Sequence, residues 1–338
     1  MRLDELRGLL ADRDLETTRR LLVEVYRSIP KRVRDEAGLD ELINGFSAAD
    51  SGRRPKRAAG LVVDFDELRG EAAVLLANAA EGLYFRPNRV VPKSQRTKWR
   101  FVARNIIKSL VAVRGEHADE AGSLLAELYR MLSYACGIYI FPTQTPFTAA
   151  GHSQGELLEI VLTKLLFDGE WSRNVRLAVF LVLECWTDHE TGRAELQHVL
   201  LRACKTVDMR EAFRAECEFF LQHLSEPSAR PYISKKFDMA PREGYYRERA
   251  TYACAELYLR LSIALHELES GLEFFHAHTC GQSPDGVLFR LLHTIGEHVA
   301  DYPHLASSWI EIYDDAVRKG IKPHFMLVNL REEILAAV

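Results

Sequence analysis

Leu6, Leu9 and Leu10 are followed by Leu21, Leu22, Val25 and Tyr26. The same spacing of three and four returns at Leu75, Leu76 and Ala79, at Leu124, Leu125, Leu128 and Leu132, and at Leu157, Leu158, Val161, Leu162 and Leu165. Apolar side chains at i, i+3 and i+4 form a stripe along one side of an α-helix. Strand-like runs are few and short, Gly60–Val63 and Ile138–Phe141 among them, and no series of them could build a sheet. The pattern predicts an all-α protein.

Three stretches interrupt the periodicity. Residues 47–60 (SAADSGRRPKRAAG) read as a basic linker after an N-terminal helical unit, 1–46, and the helical body follows over 61–338. Residues 137–152 and 225–245 carry two and three prolines with aromatic and polar side chains between them. Loops of this length in a folded body tend to line sites.

Around residue 165 the chain reads Leu165-Leu166-Phe167-Asp168-Gly169-Glu170-Trp171-Ser172-Arg173-Asn174-Val175-Arg176-Leu177-Ala178-Val179. This resembles a HEAT-type repeat, in which a Leu-Leu and Asp turn precedes a second helix that opens Val-Arg and continues apolar. Residues 177–183 (LAVFLVL) are apolar all round, as a helix buried between neighbouring repeats must be. Weaker echoes begin at Trp99-Arg100, Met209-Arg210 and Tyr246-Arg247. The resemblance implies an α-solenoid of antiparallel helix pairs over 61–338, with residues 153–167 and 172–187 forming one pair. An irregular helical bundle is the alternative.

Composition excludes several classes. With 47% hydrophobic residues among 338, the chain can build a sizeable core, so disorder is excluded. The opening MRLDELRGLLADRD has no apolar leader segment. The longest uncharged stretch, Met131–Gly155, is broken by Pro142, Pro146, three Thr and two Gln, which excludes a membrane span. Six cysteines without a CxxC pair suit a reduced, cytoplasmic protein.

Two motifs invite chemistry. Gly151-His152-Ser153-Gln154-Gly155 has the GxSxG form of a nucleophile elbow, which requires a strand before the serine and a parallel sheet around it. Ser153 and Glu156 instead match a capping box opening the helix that carries Leu157–Phe167. Glu195-x-x-His198 and Glu273-x-x-His276 share the ExxH spacing of carboxylate-bridged di-iron bundles, but no further pair of carboxylates stands out. No metal or other cofactor is assigned.

Net charge is only −4, yet its distribution is polarised. No acidic residue lies between Glu81 and Glu116, an interval holding Arg86, Arg89, Lys93, Arg96, Lys98, Arg100, Arg104, Lys108 and Arg114. Lys93, Arg96, Arg100, Arg104 and Lys108 step by three and four, which on one helix places them along a single face. Trp99, Ala103, Ile106, Leu110 and Val113 mark the opposite side. Arg53, Arg54, Lys56 and Arg57 add a cluster in the linker. Such a row, without interspersed Glu, is expected to contact the phosphates of a nucleic acid, DNA favoured, without reading bases. A non-catalytic scaffold for an acidic protein partner is the alternative, and a di-iron helical enzyme is a third.

Within HEAT-like proteins the basic body resembles that of the alkylpurine DNA glycosylases, which use tryptophans and a carboxylate around a damaged nucleotide. That resemblance implies N-glycosidic bond hydrolysis, with Trp186, Asp188 and Glu190, just beyond the 177–183 helix, as the corresponding residues.

Overall fold

The computed structural model describes residues 64–337 except 169, 225, 227–236, 238–244, 280 and 281, together with Thr17 and Tyr26. The linker 47–60 and nearly all of 1–46 lie outside the described residues, as does most of the 225–245 loop. The described chain is helical, with no strand among the described residues. A nucleophile elbow at Ser153 would need a sheet, and the described residues form none.

Asp64 opens α1 (Phe65–Ala80) by accepting the backbone N–H groups of Asp66 and Glu67 on its carboxylate. A turn leads to the one-turn α2 (Lys93–Arg96) and then to α3 (Trp99–Ala112) and α4 (Ala118–Gly137). The 137–152 segment is not loop throughout. Pro146, whose missing N–H costs nothing at a first helical position, starts α5 (Pro146–Ala150). In α6 (Gln154–Thr163), Ser153 and Glu156 cap reciprocally: Ser153 N–H donates to Glu156 Oε2 at 2.8 Å and Glu156 N–H to Ser153 Oγ at 3.2 Å.

The chain then widens into a π-turn, Lys164–Asp168. The Lys164 ammonium, although buried, donates to the Val113 carbonyl and pairs with Asp168 at 2.9 Å. Helix α7 (Trp171–Leu183) buries Val175, Val179 and Val182 and leaves Arg173 exposed, as the apolar 177–183 run predicts. It stops at Leu183 rather than 187, where Arg193 donates to the carbonyls of Val182 and Cys185 and closes the helix end. There follow α8 (Arg193–Ala203), α9 (Val207–Gln222), α10 (Tyr245–Ala264), α11 (Leu268–His278), α12 (Pro284–Gly296), α13 (Leu305–Arg318) and α14 (Phe325–Ala337).

Alternate helices pack on one another. Helix α4 touches α6, α6 touches α8, α8 touches α10, α10 touches α12 and α12 touches α14, while α7 packs on α9. Leu259, Phe275, Leu292, Ile295 and Trp309 centre the apolar core between α10 and α14. The Trp309 indole N–H is satisfied by the Leu292 carbonyl at 2.7 Å.

A polar seam runs through the same row. Arg260 on α10, 1% exposed, donates to Gln197 Oε1 of α8 at 2.9 Å and pairs with Glu297 at the end of α12. Gln197 in turn donates to the Ala253 carbonyl at 2.8 Å. His298 lies behind the pair. Burial, then the nearby Arg260 and His198, push its imidazole down to about 4.

Two outcomes are expected. Ser153→Ala should lower unfolding free energy by about 1 kcal/mol, read by urea denaturation, because it orphans one N–H at the start of α6. The unfolded chain takes up the His298 proton near 6.5, the folded chain only near 4. Stability should therefore fall as pH drops through that window, by at most about 1.4 kcal/mol per pH unit for this one group. His298→Asn should flatten this part of the stability profile relative to the parent chain.

Candidate nucleic-acid interface

Residues 82–115 form the turn after α1, helix α2, helix α3 and the start of the connection to α4. The continuous periodicity from 93 to 108 predicts one helix face, and the structure corrects this. The helix halts at Arg96, and Thr97 and Lys98 form a turn before α3. Two longer-range contacts account for the break. Trp99, 2% exposed, stacks on Phe141 with ring centroids 3.8 Å apart, which fixes where α3 starts. Arg96 folds back, donating from Nε to the Val91 carbonyl at 3.1 Å and from a terminal nitrogen to the Asn88 carbonyl at 3.0 Å.

Lys93 is exposed on α2. On α3, Arg100, Arg104 and Lys108 are exposed at intervals of four residues, about 6 Å apart along the axis. Trp99, Ala103, Ile106, Ile107 and Leu110 bury the opposite side. Val113 is the helix end rather than part of that buried row.

Arg104 also reaches the end of α5, donating from Nε to the Ala150 carbonyl at 3.3 Å. Gly151 makes this approach possible: its φ is +94°, and a Cβ there would lie 2.6 Å from Arg104 Nε. His152, next in the chain, is held below its ordinary value by burial and by Arg104, against the pull of Glu156.

The charge on this surface is uncompensated. Among the described residues, no carboxylate pairs with Arg86, Arg89, Lys93, Arg96, Lys98, Arg100, Arg104 or Lys108; Arg114 pairs with Asp168 at 3.0 Å. Downstream the arrangement differs: Arg176 pairs with Glu216, Arg214 with Glu267, Arg290 with Glu256 and Arg331 with Asp314, each across helices. Arg53, Arg54, Lys56 and Arg57 lie outside the described residues.

No protein-family model, curated protein or solved structure matches the chain. Function must be read from the geometry.

Trp186, Asp188 and Glu190 share the connection between α7 and α8, where their contacts hold the loop. Asp188 Oδ1 accepts the N–H groups of Glu190 at 3.1 Å and Thr191 at 2.6 Å, an Asx-type turn leading into α8. Glu190 itself is exposed. The Trp186 indole lies over Gly137, so closely that a Cβ at 137 would fall 0.6 Å from its Cζ3.

Gln154, from the GHSQG motif, is the buried hub of this region. Its amide donates to the Trp186 carbonyl at 2.7 Å and to Tyr129 Oη at 3.0 Å, and its oxygen accepts the Asp188 N–H at 2.8 Å. The motif draws attention to Ser153, whereas Gln154 and Gly137 are not legible in the sequence. An amide between a capping serine and a glycine carries no periodic signature.

The two ExxH pairs sit on α8 and α11, and among the described residues no group of three or more His, Cys, Asp or Glu is placed to hold a metal ion. Nor, among the described residues, is any helix long and apolar enough to cross a membrane.

Gly137→Ala should destabilise the protein by about 2 kcal/mol, because the added methyl must displace a packed indole. Urea denaturation followed by tryptophan fluorescence would read the loss, and Gly70→Ala, where a methyl meets nothing, should show none of it.

Proposed function

We propose that this chain is a HEAT-like stack of helix pairs that binds the backbone of a nucleic acid on the exposed side of α2 and α3. The carrying observation is the basic surface itself, with Lys93, Lys98, Arg100, Arg104 and Lys108 exposed and matched by no carboxylate among the described residues. Self-repulsion along such a row destabilises the free protein, and phosphates relieve it while releasing their condensed counterions. The packing of alternate helices from α4 to α14 supports the stacked reading, since a repeat array buries each helix against its counterpart in the next layer.

The proposal stops at binding. The Asp188 carboxylate already closes its own turn, and Trp186 is packed over Gly137, so this loop supplies no base-excision argument.

The test is a salt titration of affinity for duplex and single-stranded oligonucleotides. Arg100→Ala/Lys108→Ala should weaken binding to every sequence and reduce the slope of log K against log salt by about 0.9 for each duplex phosphate left without its cation. Adding Arg104→Ala should reduce it further, at a small cost in stability because its bond to Ala150 goes too. Absence of binding by the parent chain at low salt, or an unchanged slope in the variants, would overturn the reading and leave the face to an acidic protein.

A further inference from the structure

Beside the basic face lies a groove of about 570 Å³ between α1 and the α2–α3 segment. Its floor is apolar and includes the buried Tyr84, Val91 and Trp99. Its polar lining is Glu71 and Asn78 from α1, Gln95 from α2 and Asn105 from α3, with Lys98 beside them, so one carboxylate and three carboxamides face the groove. Apolar walls with a few converging polar groups are how proteins hold small flat ligands.

The helix geometry ties this groove to the cations. Val102 and Asn105 of α3 line it, while Arg104 turns the other way to the Ala150 carbonyl. At 100° per residue, Phe101 and Lys108 fall on the crest between these two shoulders. Phe101 is 50% exposed there, with the Arg100 guanidinium 4.8 Å from its ring centroid. The half-exposed ring therefore has a cation over one of its faces, and the groove opens alongside.

We propose that the groove is a nucleobase subsite and that the ligand is an unpaired strand crossing α3 over Phe101. This rests on the backbone-binding reading above and adds to it the class of nucleic acid. Phosphates would lie against Arg100 and Lys108, one base would stack on Phe101, and the next would enter the groove, its edge bonded by Gln95 and Asn105. A duplex keeps its bases paired and stacked, so it can use the cations and not the groove. Stacking on an exposed ring is how proteins gain affinity for single strands of varied sequence, and carboxamides can donate to and accept from a base edge.

The experiment measures fluorescence anisotropy of the full chain with labelled oligo-dT, oligo-dC and oligo-dA and with a duplex of the same length. Phe101→Ala should weaken single-strand binding by about tenfold or more and leave duplex binding and the salt slope unchanged. Gln95→Ala/Asn105→Ala should shift the relative affinities for the three oligomers. All three side chains are exposed, and circular dichroism melting checks that each variant folds.

Duplex binding as tight as single-strand binding by the parent chain would overturn the subsite. So would an unchanged single-strand affinity in Phe101→Ala, or unchanged base preference in the double variant. In each of these cases the phosphate-binding face survives. No binding to any of the four probes at low salt would overturn the backbone reading, and the subsite with it.

Discussion

Burying the Arg260 guanidinium constrains everything packed around it. A cation withdrawn from water is costly unless its charge and its hydrogen bonds are met in place, and of the Arg260 nitrogens only Nε has no partner among the described residues. Here the partners come from two other helices, Gln197 of α8 and Glu297 at the end of α12, so the three must meet in one register. Apolar packing alone would allow these helices to slide, since Leu and Ile surfaces fit several neighbours about equally well. The Gln197 amide extends the constraint by bonding the Ala253 carbonyl of α10, and Gln154 does the equivalent job upstream, joining α6 to α4 and to the 186–188 loop. Removing Glu297 alone would leave a buried charge unmatched, which is far more disruptive than replacing the pair by apolar side chains.

The basic face follows the opposite logic. Arg176, Arg214, Arg290 and Arg331 engage carboxylates of other helices, which ties the body together. Along α2 and α3 the cations tie little: Arg96 and Arg104 bond backbone carbonyls, and the others extend from an exposed surface. Backbone carbonyls orient a guanidinium without neutralising it, so the two arginines that are fixed in place keep their full field. The chain thus separates cations that build the body from cations that no carboxylate of the described residues matches.

The sequence carried the helical class, the capping box at Ser153 and the buried character of 177–183, because each is a local pattern. Ser153, Glu156 and the residues between them specify the start of α6 without help from elsewhere. What it could not carry were features imposed from a distance. The spacing from Lys93 to Lys108 is compatible with one unbroken helix, and only the docking of Trp99 on Phe141 and the return of Arg96 to Asn88 divide it. Glu195 and His198 sit on α8 and Glu273 and His276 on α11, and their metal-like spacing joins no group of three or more metal-binding side chains among the described residues. The residue type of Asp188 was legible, but not the turn in which its Oδ1 accepts two backbone N–H groups. The groove beside α3 was invisible for a similar reason, since Asn78 and Asn105 belong to two helices whose approach no periodicity encodes.

Helix α3 is held along its whole length. Trp99 anchors its first residue on Phe141, Arg104 fastens its middle to the end of α5, and the carbonyl of Val113, just past its last turn, receives the buried Lys164 ammonium from the π-turn. Buried contacts at its two ends, with the Arg104 bond between them, oppose rolling about the axis and sliding along it. The backbone beneath that surface is accordingly set, while its exposed Arg100 and Lys108 side chains keep their rotamer freedom. Were a strand to dock as proposed, the ordering cost on the protein's side would fall on those side chains and not on the helix that carries them.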